Sequence, residues 1–210
     1  MIEVLLKGGP VMYPLLACSI ISLTVTIERF LFWAREGFRC NQPLVDEVLE
    51  LCRVGDWEAV RTRAGGSKDY VIKILISGIL HREFSMTKAM ETASADEIKR
   101  MRQYLKVLDT LITVSPLLGI FGTVIGIITS FELLGQSGIE HPQLVTAGIA
   151  QALITTATGL GIAILAVFPY NYFNSKVVYA ALAIEKSTTS LEILYEKLIY
   201  TAREGVEETQ

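Results

Sequence analysis

Three long apolar stretches separated by charge-rich segments organise this chain. The first runs over 11–27 without a charge and continues through Phe30, Leu31, Phe32 and Trp33, interrupted only by Glu28 and Arg29. The second covers 110–131, between Asp109 and Glu132, and the third covers 142–175 without one acidic or basic side chain. A bilayer core about 30 Å thick needs about 20 helical residues to cross it. Each stretch is long enough, so the pattern predicts transmembrane helices over 11–33, 110–134 and 144–173. At about 1.5 Å per residue the uncharged third run reaches roughly 50 Å. It must tilt, kink or project beyond the hydrocarbon, and Pro169 is where a bend or an exit is expected.

The intervening segment 34–109 has a different period. Leu44, Val45, Val48, Leu49, Leu51 and Cys52 recur at helical spacing, and Asp56-Trp57-Glu58 starts another short helix with Asp56 as its N-cap. Val71, Ile74, Leu75, Gly78 and Ile79 outline a third amphipathic helix. After Ser85, Thr87 to Leu108 lacks Gly and Pro and is expected to run straight into the second span, with Met86, Met90, Ala93, Glu97 and Met101 on one rough stripe. Residues 174–210 interleave Leu182, Ile184, Leu191, Ile193 and Leu198 with charge, so they continue as a helix whose tail, 204–210, frays. The expected fold is an all-α membrane protein with three transmembrane helices, two of them long and extending into a cytoplasmic helical bundle.

Charge sets direction. Of 19 Lys and Arg, only Lys7 precedes the first span, none lies within 132–175, and the other 18 fall in 29–106 or after 175. Basic residues stay on the cytoplasmic side. The N-terminus (1–10) and the short loop 135–143 are therefore expected to be periplasmic, and 34–109 and 174–210 cytoplasmic. A cleaved signal peptide fits the first span poorly, because its basic region is one lysine and no A-x-A site follows. Buried helices of a soluble protein fit poorly too, given two uncharged runs above 20 residues.

Composition adds exclusions. A net charge of −3 leaves no footprint for nucleic acid. Cys18, Cys40 and Cys52 form no CxxC pair, and the only histidines are His81 and His141, so no disulfide framework, metal site or cofactor is expected. No His, Asp or Glu stands mid-span and HExxH is absent, which argues against an intramembrane enzyme.

The second span carries Ser115, Gly119, Gly122, Gly126 and Ser130; the third carries Gly148, Ala152, Thr155, Gly159 and Ala163. Both sets are spaced 4, 3, 4 and 4, which places each on one helix face. In lipid, small residues let backbones approach and gain dispersion contacts. The two faces suit packing within one subunit or between subunits round a shared axis. Hydroxyls gather there as well, at Thr113, Thr123, Thr129, Thr146, Thr155, Thr156 and Thr158. A proton relay needs an ionisable group at depth, and these spans have none. If the chain conducts protons, a partner supplies that group.

Ser115-Pro116-Leu117-Leu118-Gly119-Ile120-Phe121-Gly122-Thr123-Val124-Ile125-Gly126 resembles the second-span signature of the ExbB/TolQ/MotA proton channel family. The run from Gly148-Ile149-Ala150-Gln151-Ala152 through Thr155-Thr156-Ala157-Thr158-Gly159-Leu160, with Tyr170-Asn171 after it, is similar to the third-span signature, and Ile27-Glu28-Arg29 to the end of the first. Three spans favour ExbB or TolQ over the four-span MotA. The resemblance implies a homopentamer around a dimer of a single-span ExbD/TolR-like protein, whose membrane aspartate takes up and releases protons. A TonB- or TolA-like protein then transmits force to the envelope. It implies pore-lining roles for Thr123 and Thr156, beside Thr155 and Gln151, with Gly119, Gly122, Gly126, Gly148, Ala152 and Gly159 in helix packing. Two positions depart from the pattern: Gln151 stands where ExbB has glutamate and cannot titrate, and Ala163-Ile164-Leu165-Ala166 lacks the family's proline. Hydroxyls at Thr155 and Thr158 also suit sodium. The function expected is a proton channel subunit of a bacterial inner-membrane motor of the ExbB–ExbD/TonB type; a TolQ-type subunit for envelope integrity and a non-conducting scaffold are the alternatives.

Overall fold

A computed structural model describes residues 8–37, 41–137 and 142–207. Residues 1–7, the middle of the expected outer loop (138–141, with His141), Cys40 and the end of the tail (208–210) lie outside the described residues. The described chain is helical: α1 Met12–Gly37, α2 Gln42–Val54, α3 Trp57–Ala64, α4 Tyr70–Leu80, α5 Met86–Arg102, α6 Leu105–Ser137 and α7 Pro142–Glu207. Three of these helices, over Met12–Arg35, Leu105–Gly135 and Thr146–Thr201, are long and apolar enough to cross a membrane. The chain divides into two units, Met1–Phe30 with Tyr104–Asn174, and Leu31–Gln103 with Ser175–Gln210.

In the first unit, α1 turns one stripe inward. Val11, Met12 and Leu15 pack with Ile162 of α7, and Cys18, Leu118, Ile125 and Ile154 close the cluster. The opposite face leaves Ile20, Leu23, Ile27 and Phe30 open, as a lipid-facing helix must. Arg29 is only 1% exposed although it is charged. Its Nε and Nη2 donate to the Glu28 carboxylate at 2.5 and 2.7 Å, and its guanidinium lies 5.5 Å from the centre of the Tyr104 ring. A buried cation needs such compensation, since desolvation otherwise costs several kcal/mol.

That contact marks where the expected unbroken helix from Thr87 into the second span is corrected. The helix stops at Arg102 and restarts at Leu105, with Tyr104 at φ 63°, the only non-glycine residue with positive φ among those described. Left-handed geometry costs a residue with a Cβ roughly 1–2 kcal/mol. Here the Tyr104 ring lies against the Arg29 guanidinium, a contact that helps to offset that cost. The helix α7 runs on through Pro169. The ring removes only the bond that the Leu165 carbonyl would have accepted.

The second unit is a helical bundle whose centre is α4, with Tyr70, Val71, Ile72, Ile74, Leu75, Gly78 and Ile79 all buried. Side-chain caps start α2, α3 and α4. Asn41 accepts from the Leu44 N–H at 3.3 Å and Asp56 from the Ala59 N–H at 3.0 Å. Asp69, itself buried, accepts from Val71 N–H at 2.8 Å and from Asn41 N–H at 2.6 Å, so one carboxylate fixes two helix starts. Gly55, at φ 78°, closes α2 in the left-handed conformation. Met86, Met90 and Met101 of the expected stripe are buried, while Ala93 and Glu97 are half-buried. The Cys52 thiol is buried against this core, and desolvation pushes its pKa up from 9.0 to about 11.

Candidate functional site

The small faces of α6 and α7 meet each other inside one chain. A Cβ on Gly119 would sit 3.0 Å from the Thr156 Cα and 3.1 Å from the Thr155 carbonyl oxygen. One on Gly126 would lie 2.9 Å from the Ala152 Cβ and 2.9 Å from the Gly148 carbonyl. One on Gly122 would strike the Thr155 side chain, one on Gly148 the Ser130 hydroxyl, and one on Gly159 the Ser115 carbonyl. These contacts define an antiparallel register: Ser115 with Gly159, Gly119 with Thr155 and Thr156, Gly126 with Ala152, and Ser130 with Gly148. Of the two packings the spacing allowed, the faces are used within the subunit.

The approach has a chemical result. With no side chain on Gly119, α7 comes close enough for the Thr156 hydroxyl to donate to the Gly119 carbonyl at 2.9 Å, a bond between helices. Thr123, between the Gly119 and Gly126 levels, donates to its own Ile120 carbonyl at 2.5 Å and is half-buried, as is Thr156. Thr155 is 1% exposed and donates to the Ala152 carbonyl at 2.8 Å, so its hydroxyl belongs to the packed seam. Thr158 returns its hydroxyl to the Ile154 carbonyl at 2.8 Å. Gln151 lies half-buried against Gly9, where an added Cβ would strike its amide; Gly9 stands at φ 69°. The four expected pathway residues therefore do not share one open face. Thr123 and Thr156 sit on neighbouring turns at the edge of the seam, Thr155 is inside it, and Gln151 is turned toward the segment that leads into α1.

Ser115 is the polar group that sequence reasoning counted only as small. It is fully buried, and its hydroxyl finds no partner among the described residues. The signal was its place before Pro116, whose missing N–H leaves the Ile112 carbonyl without its helical donor. An unmade bond of this kind costs about 1–3 kcal/mol. Between 110 and 131 and between 146 and 175 the sequence holds no Asp, Glu, His, Lys or Arg. Among the described residues no cluster of His, Cys, Asp or Glu could hold a metal ion. What the seam offers is hydroxyl oxygens and backbone carbonyls in an apolar surround.

A three-span helical membrane protein with a tight, hydroxyl-bearing seam and no acidic residue within its second and third apolar runs is the class these observations define. The profile of the MotA/TolQ/ExbB proton channel family matches residues 69–186. The chain is 35% identical over 208 residues to biopolymer transport protein ExbB-like 1 of Synechocystis sp., covering 95% of this chain and 81% of that one. It is 31% identical over 199 residues to ExbB-like 3 of the same organism, covering 91% and 93%. The Tol-Pal system protein TolQ of Pseudomonas aeruginosa is 29% identical over 194 residues, with 82% of each chain covered. This chain belongs to the MotA/TolQ/ExbB proton channel family.

Proposed function

We propose that this protein is the channel subunit of an inner-membrane motor that couples the proton motive force to work on the cell envelope, in the manner of ExbB with ExbD and TonB. In this reading it forms a homopentamer around a dimer of a single-span ExbD/TolR-like protein, and that partner's membrane aspartate carries the proton. The N-terminus faces the periplasm and the C-terminus the cytoplasm. The observation that carries the reading is the state of Thr123 and Thr156. Both hydroxyl protons are committed to backbone carbonyls, at Ile120 and Gly119. A hydroxyl that donates still has lone pairs to accept with. The pair is therefore suited to receive a hydrogen bond from a protonated carboxyl, from water or from hydronium, and not to stabilise a bare carboxylate by donating to it. A family member named TolQ supports the Tol-type task as a second reading.

Proton uptake into liposomes holding this protein and its single-span partner tests the assignment. Thr123→Val and Thr156→Val together should bring the flux down to the partner-free level, and Thr156→Ser, which keeps the hydroxyl, should retain most of it. Undiminished flux in the double valine variant removes both threonines from the pathway. Equal flux with and without the partner overturns the two-component reading.

A further inference from the structure

Lipid accounts for open apolar side chains along the spans, but not for those beyond Lys176, where α7 carries Glu185, Lys186, Glu192, Glu196 and Lys197. There Tyr179, Leu182, Ile193 and Tyr200 remain 71, 55, 60 and 63% exposed. With Lys186 and Thr189 between them they fall at steps of 3, 4, 3, 4 and 7 residues, the seam of a left-handed helix pair. In the same unit α5 and α7 border a groove of about 480 Å³. Met90, Ile98 and Ile184 give it an apolar floor, and Glu91, Glu185 and Glu192 line it without a basic residue. At about 100° per residue the groove side of α7 and the exposed stripe lie roughly a third of a turn apart, so they are different surfaces. Among the described residues none of the three glutamates forms an ion pair, and neither does Lys186 or Lys197 on the stripe side.

We infer that the α7 stripe of one copy docks into the α5–α7 groove of the next, with Lys186 placed among the neighbour's glutamates. Both surfaces join apolar area to unpaired charge, and the charges are opposite, so each supplies what the other lacks. Two different patches on one chain make a head-to-tail contact, which closes into a ring when the rotation allows. A stripe meeting its own copy would close a two-fold dimer instead and set Lys186 near Lys186. The inference rests on the ring proposed above and names the cytoplasmic surfaces that would hold it.

Cross-linking of the full chain in native membranes tests it, in a background with Cys18, Cys40 and Cys52 replaced by alanine. Ser94→Cys in the groove and Thr189→Cys on the stripe, combined in one chain and treated with a short bismaleimide, should give a ladder of oligomers, and neither substitution alone should. Dimers from Thr189→Cys alone overturn the groove in favour of stripe-to-stripe pairing. Native mass spectrometry of the detergent-extracted chain separates the two levels of the argument: a ring without the ladder sinks these surfaces and leaves the ring, and a monomer sinks both. Lys186→Glu should lower the ring fraction by about tenfold at fixed concentration, and exchanging the pair, Glu185→Lys with Lys186→Glu, should recover it. A ring fraction unmoved by Lys186→Glu also overturns the pairing.

Discussion

At the scale of single residues the seam between α6 and α7 is set by what glycine lacks. Gly159 faces the Ser115 carbonyl so closely that any Cβ would displace it, whereas a Cβ on Gly161, two residues on, meets nothing within 4 Å. Gly159→Ala should therefore destabilise the detergent-extracted protein by about 1–3 kcal/mol, as overpacking does. Gly161→Ala should be neutral or stabilising by up to about 1 kcal/mol, because alanine favours helix. Thermal unfolding of the two variants side by side checks the contrast, and equal losses would show that chain flexibility, not close approach, is what glycine supplies. Cys52 makes a second prediction outside the spans. Burial raises its pKa from 9.0 to about 11 because the thiolate is the form that water would stabilise. The folded pKa is the higher one, so its contribution to stability is complete below about pH 9 and declines as pH rises toward 11. Maleimide labelling of Cys52 at pH 8 should be slow in the folded protein and fast after unfolding; fast labelling of the folded protein would contradict its burial.

At the scale of elements, legibility in the sequence depended on how local the cause was. The N-cap at Asp56 and the amphipathic faces of α2 and α4 follow from neighbours within four residues, and they stand as read. The stop at Arg102 does not, because Gln103 and Tyr104 carry no turn signal and the partner that the Tyr104 ring meets there, Arg29, is far away in sequence. The seam was legible as two small-residue faces, but not as a contact within one subunit, since spacing alone does not fix a helix's partner. Thr155 illustrates the loss: its hydroxyl reads like that of Thr156 until the register turns it into the seam. Caps show the same split in energy. Asp56→Ala removes one bond from an exposed helix start and should cost about 1 kcal/mol. Asp69→Ala removes two bonds from a buried carboxylate and strands two donors, so it should cost about 2–3 kcal/mol. Thermal melts of the full chain rank them, and the reverse order would mean that the Asn41 contact contributes nothing.

At the scale of the whole molecule the proposed motor works only if the chain faces one way. Proton motive force has a sign, and an aspartate supplied by a partner must meet the threonines with its proton source on a defined side. Orientation is carried by basic residues, 18 of 19 of which lie within 29–106 or after 175. Short basic segments resist translocation, while acidic ones count for little, so the near-neutral overall charge does not weaken the bias. Two single cysteines in the cysteine-free background read the direction. Gly135→Cys lies at the far end of α6, where an added Cβ meets nothing, and Val54→Cys stands on the exposed side of α2. A membrane-impermeant maleimide added to spheroplasts should label the first at once and the second only after lysis. The opposite pattern would put the basic segments outside and reverse the polarity of the proposed motor. Labelling of both in intact spheroplasts would mean mixed insertion, which a device driven by a gradient of fixed sign cannot use.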